Sequence, residues 1–201
     1  MFPFRTLLVA FGTLAATACS PSAPPSDTAA TPATPRSGGV KSGCLSRAYP
    51  EIGGPISLVS HTGETVTEDA FKGRPTLIYF GFTYCPDVCP MTLVSIARAY
   101  KMLREGMVPP QTLLISVDPA RDTPETLAQY VTTAAFPDNL VGLTGTREQV
   151  RAAADSFIAD YSRIDDDSSS AGYTMDHTSL LYLMDADWKL KSFFTHEDTS
   201  E

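Results

Sequence analysis

The sequence predicts a mixed α/β fold in which helices cover both faces of a central sheet. Two runs, residues 76–82 and 112–117, are apolar almost throughout, which is typical of strands buried on both faces. A helical signal follows each run. Apolar residues recur at helical spacing over residues 91–104, and residues 123–125 place a cap residue, a proline and an acid in the favoured order. The alternation of strands with helices indicates the layered arrangement.

The remaining elements are shorter. Two strands around a glycine turn at Gly63 are predicted to form an N-terminal hairpin, and a capping box of Thr146 and Gln149 opens a helix that ends near Phe157. A last pair of strands is predicted to form a C-terminal hairpin. The expected strand ranges are 56–60, 65–66, 140–143, 179–184 and 189–194.

The composition fits one ordinary soluble domain. Of the 201 residues, 43% are hydrophobic and 19% are charged, which supplies enough apolar material for a stable core. Fifteen Lys and Arg against 23 Asp and Glu give a net charge of −8, so we expect no nucleic-acid partner. Four cysteines are too few for a disulfide-built scaffold, and each has to be interpreted from its own surroundings.

The N-terminus carries an export signal. Residues 1–18 are predicted to be a signal peptide, because Arg5 precedes an apolar run over residues 7–16 that is too short to span a membrane. Small residues stand directly before Cys19, which is predicted to be the lipidated N-terminus of the mature protein. The alternative is ordinary cleavage after a small-x-small site, with Cys19 incidental.

A linker is predicted between the signal peptide and the folded domain. Residues 19–45 are rich in Pro, Ala, Ser and Thr, which is typical of a flexible tether, whether or not a lipid anchors it. Residues 46–201 are predicted to form the folded domain. We therefore expect an exported, periplasmic protein that reaches the membrane through its lipid anchor only, in a compartment where thiols tend to pair.

Cys85 and Cys89 lie between the first buried run and the helix that follows it. At a helix N-terminus, backbone N–H groups and the positive end of the dipole favour a thiolate. If the segment is helical, an i, i+4 spacing brings the two side chains onto one face, near enough to share a metal or, after a small rearrangement, to form a disulfide. A stabilising disulfide and a metal-free redox dithiol therefore remain alternatives to a metal site.

His177 favours the metal interpretation. It stands just ahead of the strand that begins near Ser179, and a sheet can carry this loop to the same edge as the cysteine loop. Two cysteines and one histidine would then meet at one place.

Four blocks of sequence form a specific combination. They are Ile52-Gly53-Gly54-Pro55, YFGFTYCPDVCP over residues 79–90, ISVDPARDTPE over residues 115–125, and Asp176-His177 before a Leu-Tyr-Leu-Met-Asp strand. Together they resemble the Sco/SenC copper-protein family throughout residues 50–195. The resemblance implies a thioredoxin-like fold and a copper site built from Cys85, Cys89 and His177. It also implies a role in delivering copper to the dinuclear copper centre of a cytochrome c oxidase subunit, or in keeping that centre's cysteines reduced.

Copper suits these three side chains better than zinc does. Two thiolates favour Cu(I), and an added imidazole makes a site that Cu(II) can also occupy. A structural zinc site ordinarily takes a fourth protein ligand, for which Asp87 is the candidate. We expect a copper-accepting oxidase subunit as partner, with other periplasmic copper chaperones or thiol reductants as further candidates.

A second class of function stays open. A periplasmic thiol-disulfide oxidoreductase needs only the redox-active, disulfide-competent pair Cys85 and Cys89, one to attack a partner disulfide and the other to resolve it. A thioredoxin-fold peroxidase is a more distant third. We favour a copper-binding metallochaperone, which is not an enzyme in the turnover sense, and His177 discriminates because stable copper binding requires all three residues.

Asp118 and Arg121 follow the second buried run, at the sheet edge where α/β proteins carry functional loops. The resemblance implies a contact with the partner or with the copper loop. The alternative is an Asp-Pro turn followed by an exposed arginine. Residues 165–170 are predicted to be a solvated loop that could face a basic partner, and His61 and His196 to be ordinary surface residues.

Four further features of the sequence each carry an expectation. Tyr84 is expected to pack beside the site as core, and Trp188 stands where the family has a turn glycine, so the last turn is expected to be reshaped or hydrophobic at its tip. Residues 199–201 look like the opening of a helix, so the family's final helix is expected to be missing and one sheet face less covered. Cys44 is left over from the other cysteines, and we hypothesise a free thiol or mixed disulfides.

Overall fold

A computed structural model describes residues 52–167 and 171–195, in which nine strands and three α-helices are found. One short 3-10 helix, Glu68–Phe71, precedes the third strand. The strands are β1 Ser57–Ser60, β2 Thr65–Thr67, β3 Thr76–Gly81, β4 Gln111–Ser116, β5 Leu140–Thr144, β6 Tyr161–Asp165, β7 Tyr173–His177, β8 Leu180–Met184 and β9 Leu190–Thr195. The helices are α1 Val88–Lys101, α2 Pro124–Val131 and α3 Arg147–Ser156.

Seven of these strands form one sheet in the order β2-β1-β5-β4-β3-β8-β9. The three central strands β5, β4 and β3 run parallel, and the outer strands join them antiparallel. Every residue of β3 and β4 is buried, which confirms the two apolar runs as central strands. Because β3 and β4 end side by side, the loops that follow them meet at one edge of the sheet.

Helices cover both faces of this sheet. A Cβ added at Gly81 would touch Cys89 of α1, and one added at Gly142 would touch Leu127 of α2, so both helices pack closely on one face. On the opposite face the ring of Phe157, which ends α3, packs against Phe80 at 5.6 Å between centroids. The predicted layered arrangement is therefore correct.

The ends of the helices follow the sequence signals, with one difference. The capping box of Thr146 and Gln149 is present, and the Oγ1 of Thr123 accepts the backbone N–H of Thr126 at the start of α2. Helix α1 begins at Val88 rather than at residue 91, since Pro90 is tolerated in a first turn, where N–H groups have no intrahelical partner. Cys89 therefore lies inside the first turn of the helix.

A separate two-stranded ribbon was not anticipated by the sequence. Strands β6 and β7 pair antiparallel, with Tyr161 opposite His177 and Asp165 opposite Tyr173. Most of β6 is exposed, so it lacks the buried alternation that identifies a strand in a sequence. The prediction that a solvated loop begins at residue 165 was wrong for that residue. Asp165 ends strand β6 and accepts a hydrogen bond from the Nε of Arg163 at 2.7 Å.

Trp188 corrects the expectation of a hydrophobic tip. Its side chain is only 5% exposed, and the indole N–H donates to the carbonyl of Gly54 at 3.0 Å. The ring stacks on Phe71 and meets Phe157 edge-on. The backbone is left-handed here (φ 62°), which costs a non-glycine residue about 1–2 kcal/mol, and the buried indole offsets that cost.

Several predictions fall outside the described residues. These are the signal peptide, lipidation at Cys19, the linker, Cys44, residues 168–170, His196 and the expected loss of a final helix at residues 199–201. Within residues 52–167 and 171–195, no helix has the length and apolar character needed to cross a membrane.

Candidate metal centre

The cysteine loop connects β3 with α1 at the edge of the sheet. Cys85 is half-buried and precedes the helix, whereas Cys89 is fully buried in its first turn. The backbone N–H of Cys89 points at the Sγ of Cys85, 3.3 Å away. Gly81 makes room for the pair, because a Cβ at this position would lie 3.2 Å from the Sγ of Cys89. The i, i+4 spacing thus places both sulfurs at one helix terminus.

His177 ends β7 and reaches the same place from the ribbon. Its Nε2 lies 3.6 Å from the Sγ of Cys89, and its Nδ1 lies 3.2 Å from the carbonyl oxygen of Thr178. A carbonyl can only accept, so this bond requires a proton on Nδ1, and Nε2 is the ring nitrogen that faces the sulfur. The rings of Tyr79 and Phe82 meet the imidazole edge-on at 6.0 and 5.8 Å and fix its plane.

The two thiols differ in acidity. Hydrogen bonding from the Cys89 side chain, and then from His177 and the backbone N–H groups of Cys89 and Asp87, lowers the pKa of Cys85 to about 4 against the opposing effect of burial. The neighbouring Cys85 thiolate and burial raise the pKa of Cys89. Both cysteines are free, so the reduced site holds one thiolate and one thiol.

The donor set suits a soft metal. Two sulfurs and one imidazole are ligands that copper accepts in either oxidation state. Asp87, the candidate fourth ligand for zinc, is exposed. Among the described residues, no group of three His, Cys, Asp or Glu side chains is already spaced as the ligands of a metal ion. Binding a metal at Cys85, Cys89 and His177 therefore requires these side chains to adjust.

Asp118, which is buried, and Arg121, which is mostly buried, form an ion pair beside the cysteine loop, so the alternative of an exposed arginine was wrong. Asp118 is 3% exposed and also accepts a hydrogen bond from the hydroxyl of Tyr173 at 2.9 Å. The Nη1 of Arg121 donates to the carbonyl of Tyr173, and its guanidinium lies over the rings of Tyr173 and Tyr84 at 3.7 and 4.6 Å. The pair thereby joins the cysteine loop to the ribbon that carries His177.

Two other sequence expectations need correction. Tyr84 is 57% exposed and is not a core residue, because its ring lies against Arg121 at the surface. His61 is half-buried rather than an ordinary surface residue, and its Nδ1 accepts the backbone N–H of Gly142 at 3.2 Å.

Asp122 supports the cysteine loop and was missed as a site residue. Its buried carboxylate accepts the N–H and hydroxyl of Thr83 at 3.0 and 2.5 Å and the hydroxyl of Ser116 at 2.5 Å. Burial raises its pKa. The sequence shows only that Asp122 lies in the loop after β4. An aspartate in such a loop is equally typical of an ordinary turn.

A family model described as SCO1/SenC matches residues 46–201. The chain belongs to the SCO1/SenC family. This confirms the resemblance read from the four sequence blocks, and the thioredoxin-like fold with it. The chain is similar to the SCO2-like protein of Rickettsia felis, with 37% identity over 75% of this chain and 73% of that protein.

Solved SCO1/SenC structures share the architecture. ScoI of Bradyrhizobium japonicum, solved with copper bound, has a TM-score of 0.65 and 39% identity over 75% of this chain and 93% of that one. BsSco, described as a member of the Sco family of cytochrome c oxidase assembly proteins, has a TM-score of 0.58 over 75% of this chain and 87% of that one. At 23% identity, the likeness to BsSco shows the fold alone.

Proposed function

We propose that this chain binds one copper ion as cargo through Cys85, Cys89 and His177 and passes it to the copper-accepting subunit of a cytochrome c oxidase during assembly. The observation that carries the proposal is the 3.6 Å approach of the His177 Nε2 to the Cys89 Sγ, across 88 residues of chain. Family membership and the copper-bound ScoI structure support the same ion.

The chemistry of the three side chains fits copper as cargo. Thiolates favour Cu(I), and the imidazole extends the range to Cu(II). The proton on the Nδ1 of His177 leaves Nε2 free to bind the ion. Because Cys85 is only half-buried, the thiols of a partner can approach the ion there and displace the ligands one at a time.

The proposal includes export and anchoring. Removal of residues 1–18 and lipidation at Cys19 would hold the domain at the membrane surface by a linker of residues 19–45. This places the site on the side of the membrane where thiols tend to be oxidised.

Copper titration of the reduced chain tests the site. We expect the native chain to take up one Cu(II) with sulfur-to-copper charge-transfer bands, and His177→Ala to lose the ion in competition with a chelator. His61→Ala is the matched control, because it removes a half-buried histidine whose Nδ1 accepts the backbone N–H of Gly142. Equal copper affinity in the native chain and His177→Ala would contradict the ligand assignment.

Thiol-disulfide exchange is the second candidate function. It is favoured by the contrast between an accessible Cys85, whose pKa is lowered to about 4, and a buried Cys89, whose pKa is raised. This is the arrangement of an attacking and a resolving thiol. If no variant binds copper while native chain and His177→Ala both reduce a partner disulfide, this second function holds and the first fails.

A further inference from the structure

Tyr79 carries a buried hydroxyl beside the candidate metal centre, and the proposed copper site gives this hydroxyl no function. The residue lies in the middle of β3 and is fully buried. Its hydroxyl makes no hydrogen bond of good geometry in the described part of the chain, and the side chains of Cys89 and Thr92 are the polar groups beside it. An unpaired buried hydroxyl costs about 1–3 kcal/mol, so a strong acceptor beside it would stabilise the site.

The position of Tyr79 points to Cys89 as that partner. A Cβ at Gly81 would lie 3.0 Å from the Cε1 of Tyr79 and 3.2 Å from the Sγ of Cys89, so the phenol edge and the sulfur flank one small gap. The same ring meets the imidazole of His177 edge-on at 6.0 Å. Tyr79 therefore touches the surroundings of two of the three proposed copper ligands.

The groups around the hydroxyl leave it as a donor. A phenol keeps its proton at neutral pH, so this hydroxyl can donate a hydrogen bond. Thr92 is the other side chain beside it, and the Thr92 hydroxyl already donates to the carbonyl of Val88 at 2.8 Å. The free thiol of Cys89 is a weak acceptor, whereas a thiolate at the same place accepts strongly.

We propose that Tyr79 is a positioning residue for Cys89: its hydroxyl donates a hydrogen bond to the Cys89 Sγ when that sulfur, having lost its proton to solvent, binds copper as a thiolate. The inference rests on the proposed copper site. A buried thiolate needs donors, and the backbone N–H of Phe82 supplies one while Tyr79 supplies a second. The buried hydroxyl thereby gains a strong acceptor when copper binds.

Tyr182 provides a matched control. It is equally buried, its hydroxyl also lacks a partner in the described part of the chain, and it faces Phe80 and Phe157 on the other face of the sheet. Tyr79→Phe and Tyr182→Phe each delete one oxygen and keep the ring. Since neither hydroxyl makes a hydrogen bond of good geometry in the described part of the chain, we expect both reduced full-length variants, before copper is added, to unfold within a few degrees of the native chain.

Copper separates the two variants. We expect Tyr79→Phe to bind Cu(I) about 10–100-fold more weakly in competition with a chromophoric chelator, and Tyr182→Phe to bind it like the native chain. In the Cu(II) form, the sulfur-to-copper band of Tyr79→Phe should move to lower energy, because a sulfur without its hydrogen bond gives up an electron more easily. A merely structural residue would not move this band.

Three outcomes overturn the inference. If the native chain and both variants bind copper with equal affinity and the same band, Tyr79 has no role toward the ion, although the copper site stands. If Tyr79→Phe alone unfolds well below the others without metal, its hydroxyl is already bonded in that state. If the native chain itself binds no copper, the proposed function fails and takes this inference with it.

Discussion

The two halves of the candidate site are held in different ways. The cysteine loop is fixed by backbone and buried carboxylate contacts at the end of β3, where Asp122 accepts three hydrogen bonds from Thr83 and Ser116. His177 instead belongs to a two-stranded ribbon outside the main sheet, which is connected to the loop through Arg121 and Tyr173. The core therefore fixes the positions of the two sulfurs, whereas a small set of side-chain contacts fixes the position of the imidazole.

Loss of Arg121 should have the largest effect. Arg121→Ala leaves the buried carboxylate of Asp118 without its cation and cuts the connection between ribbon and loop, so we expect a loss of about 3 kcal/mol of unfolding free energy. Urea unfolding measures the loss, and hydrogen exchange of residues 173–177 should accelerate.

Arg163→Ala is the control for this change. Arg163 lies over the same Tyr173 ring at 3.8 Å, but about half of its side chain is exposed, so its removal should cost less than about 1 kcal/mol. Equal losses for the two arginines would show that the buried pair does not hold the ribbon.

Crowding at Gly81 should come next. In Gly81→Ala the new Cβ would lie 3.0–3.2 Å from Tyr79, Cys89 and Leu114, and overpacking of this kind costs about 1–3 kcal/mol. We also expect weaker copper retention, because the sulfur of Cys89 has to move.

Gly172 in the ribbon offers the opposite case. A Cβ there meets nothing within 4 Å, but φ is 71°, so Gly172→Ala costs about 1–2 kcal/mol through backbone strain alone. Thermal unfolding should therefore respond to both changes and copper retention to Gly81→Ala only. A copper defect in Gly172→Ala would mean that the ribbon turn also positions the site.

The smallest expected effect is the influence of the ribbon on the Cys85 thiol. With its pKa lowered to about 4, Cys85 is a thiolate throughout the range from pH 6 to pH 8, so its alkylation by iodoacetamide should be nearly independent of pH there. In His177→Ala one lowering contact is lost and the pKa of Cys85 rises, but the Cys89 side chain and two backbone N–H groups keep it below the ordinary value.

Mass spectrometry of the alkylated chain over this pH range measures how much His177 and how much the cysteine loop contribute to the lowered pKa of Cys85. Cys89, whose pKa is raised, should stay unmodified in both proteins. If His177→Ala slowed Cys85 at pH 6 to the rate of an unfolded thiol, the histidine rather than the loop would set its acidity.

Much of the main sheet and of the cysteine loop was predictable from sequence. The apolar runs that became β3 and β4 are buried along their whole length, and the capping box of Thr146 and Gln149 is a local signal that needs no tertiary context. The cysteine pair was predictable for the same reason, because its place between a strand and a helix follows from neighbouring residues.

The ribbon and its contacts were not predictable. Strand β6 is mostly exposed, so its sequence lacks the pattern of a buried strand. The position of Arg121 depends on Tyr173, 52 residues away, so no local sequence pattern predicts it. Trp188 shows the same limit, since a buried indole in a turn depends on a carbonyl 134 residues away. That His177 approaches Cys89 within 3.6 Å is likewise a product of the ribbon.

The indole bond of Trp188 also has a mechanical consequence. The described chain begins at Ile52, and its next residues are fastened at once: Gly53 donates to the carbonyl of Ser156, and the carbonyl of Gly54 accepts from Trp188. The turn of Trp188 lies at the start of β3, opposite the cysteine loop and about 17 Å away along the strand. A pull applied at Ile52 would therefore act first on these bonds, at the end of β3 away from the sulfurs and the imidazole.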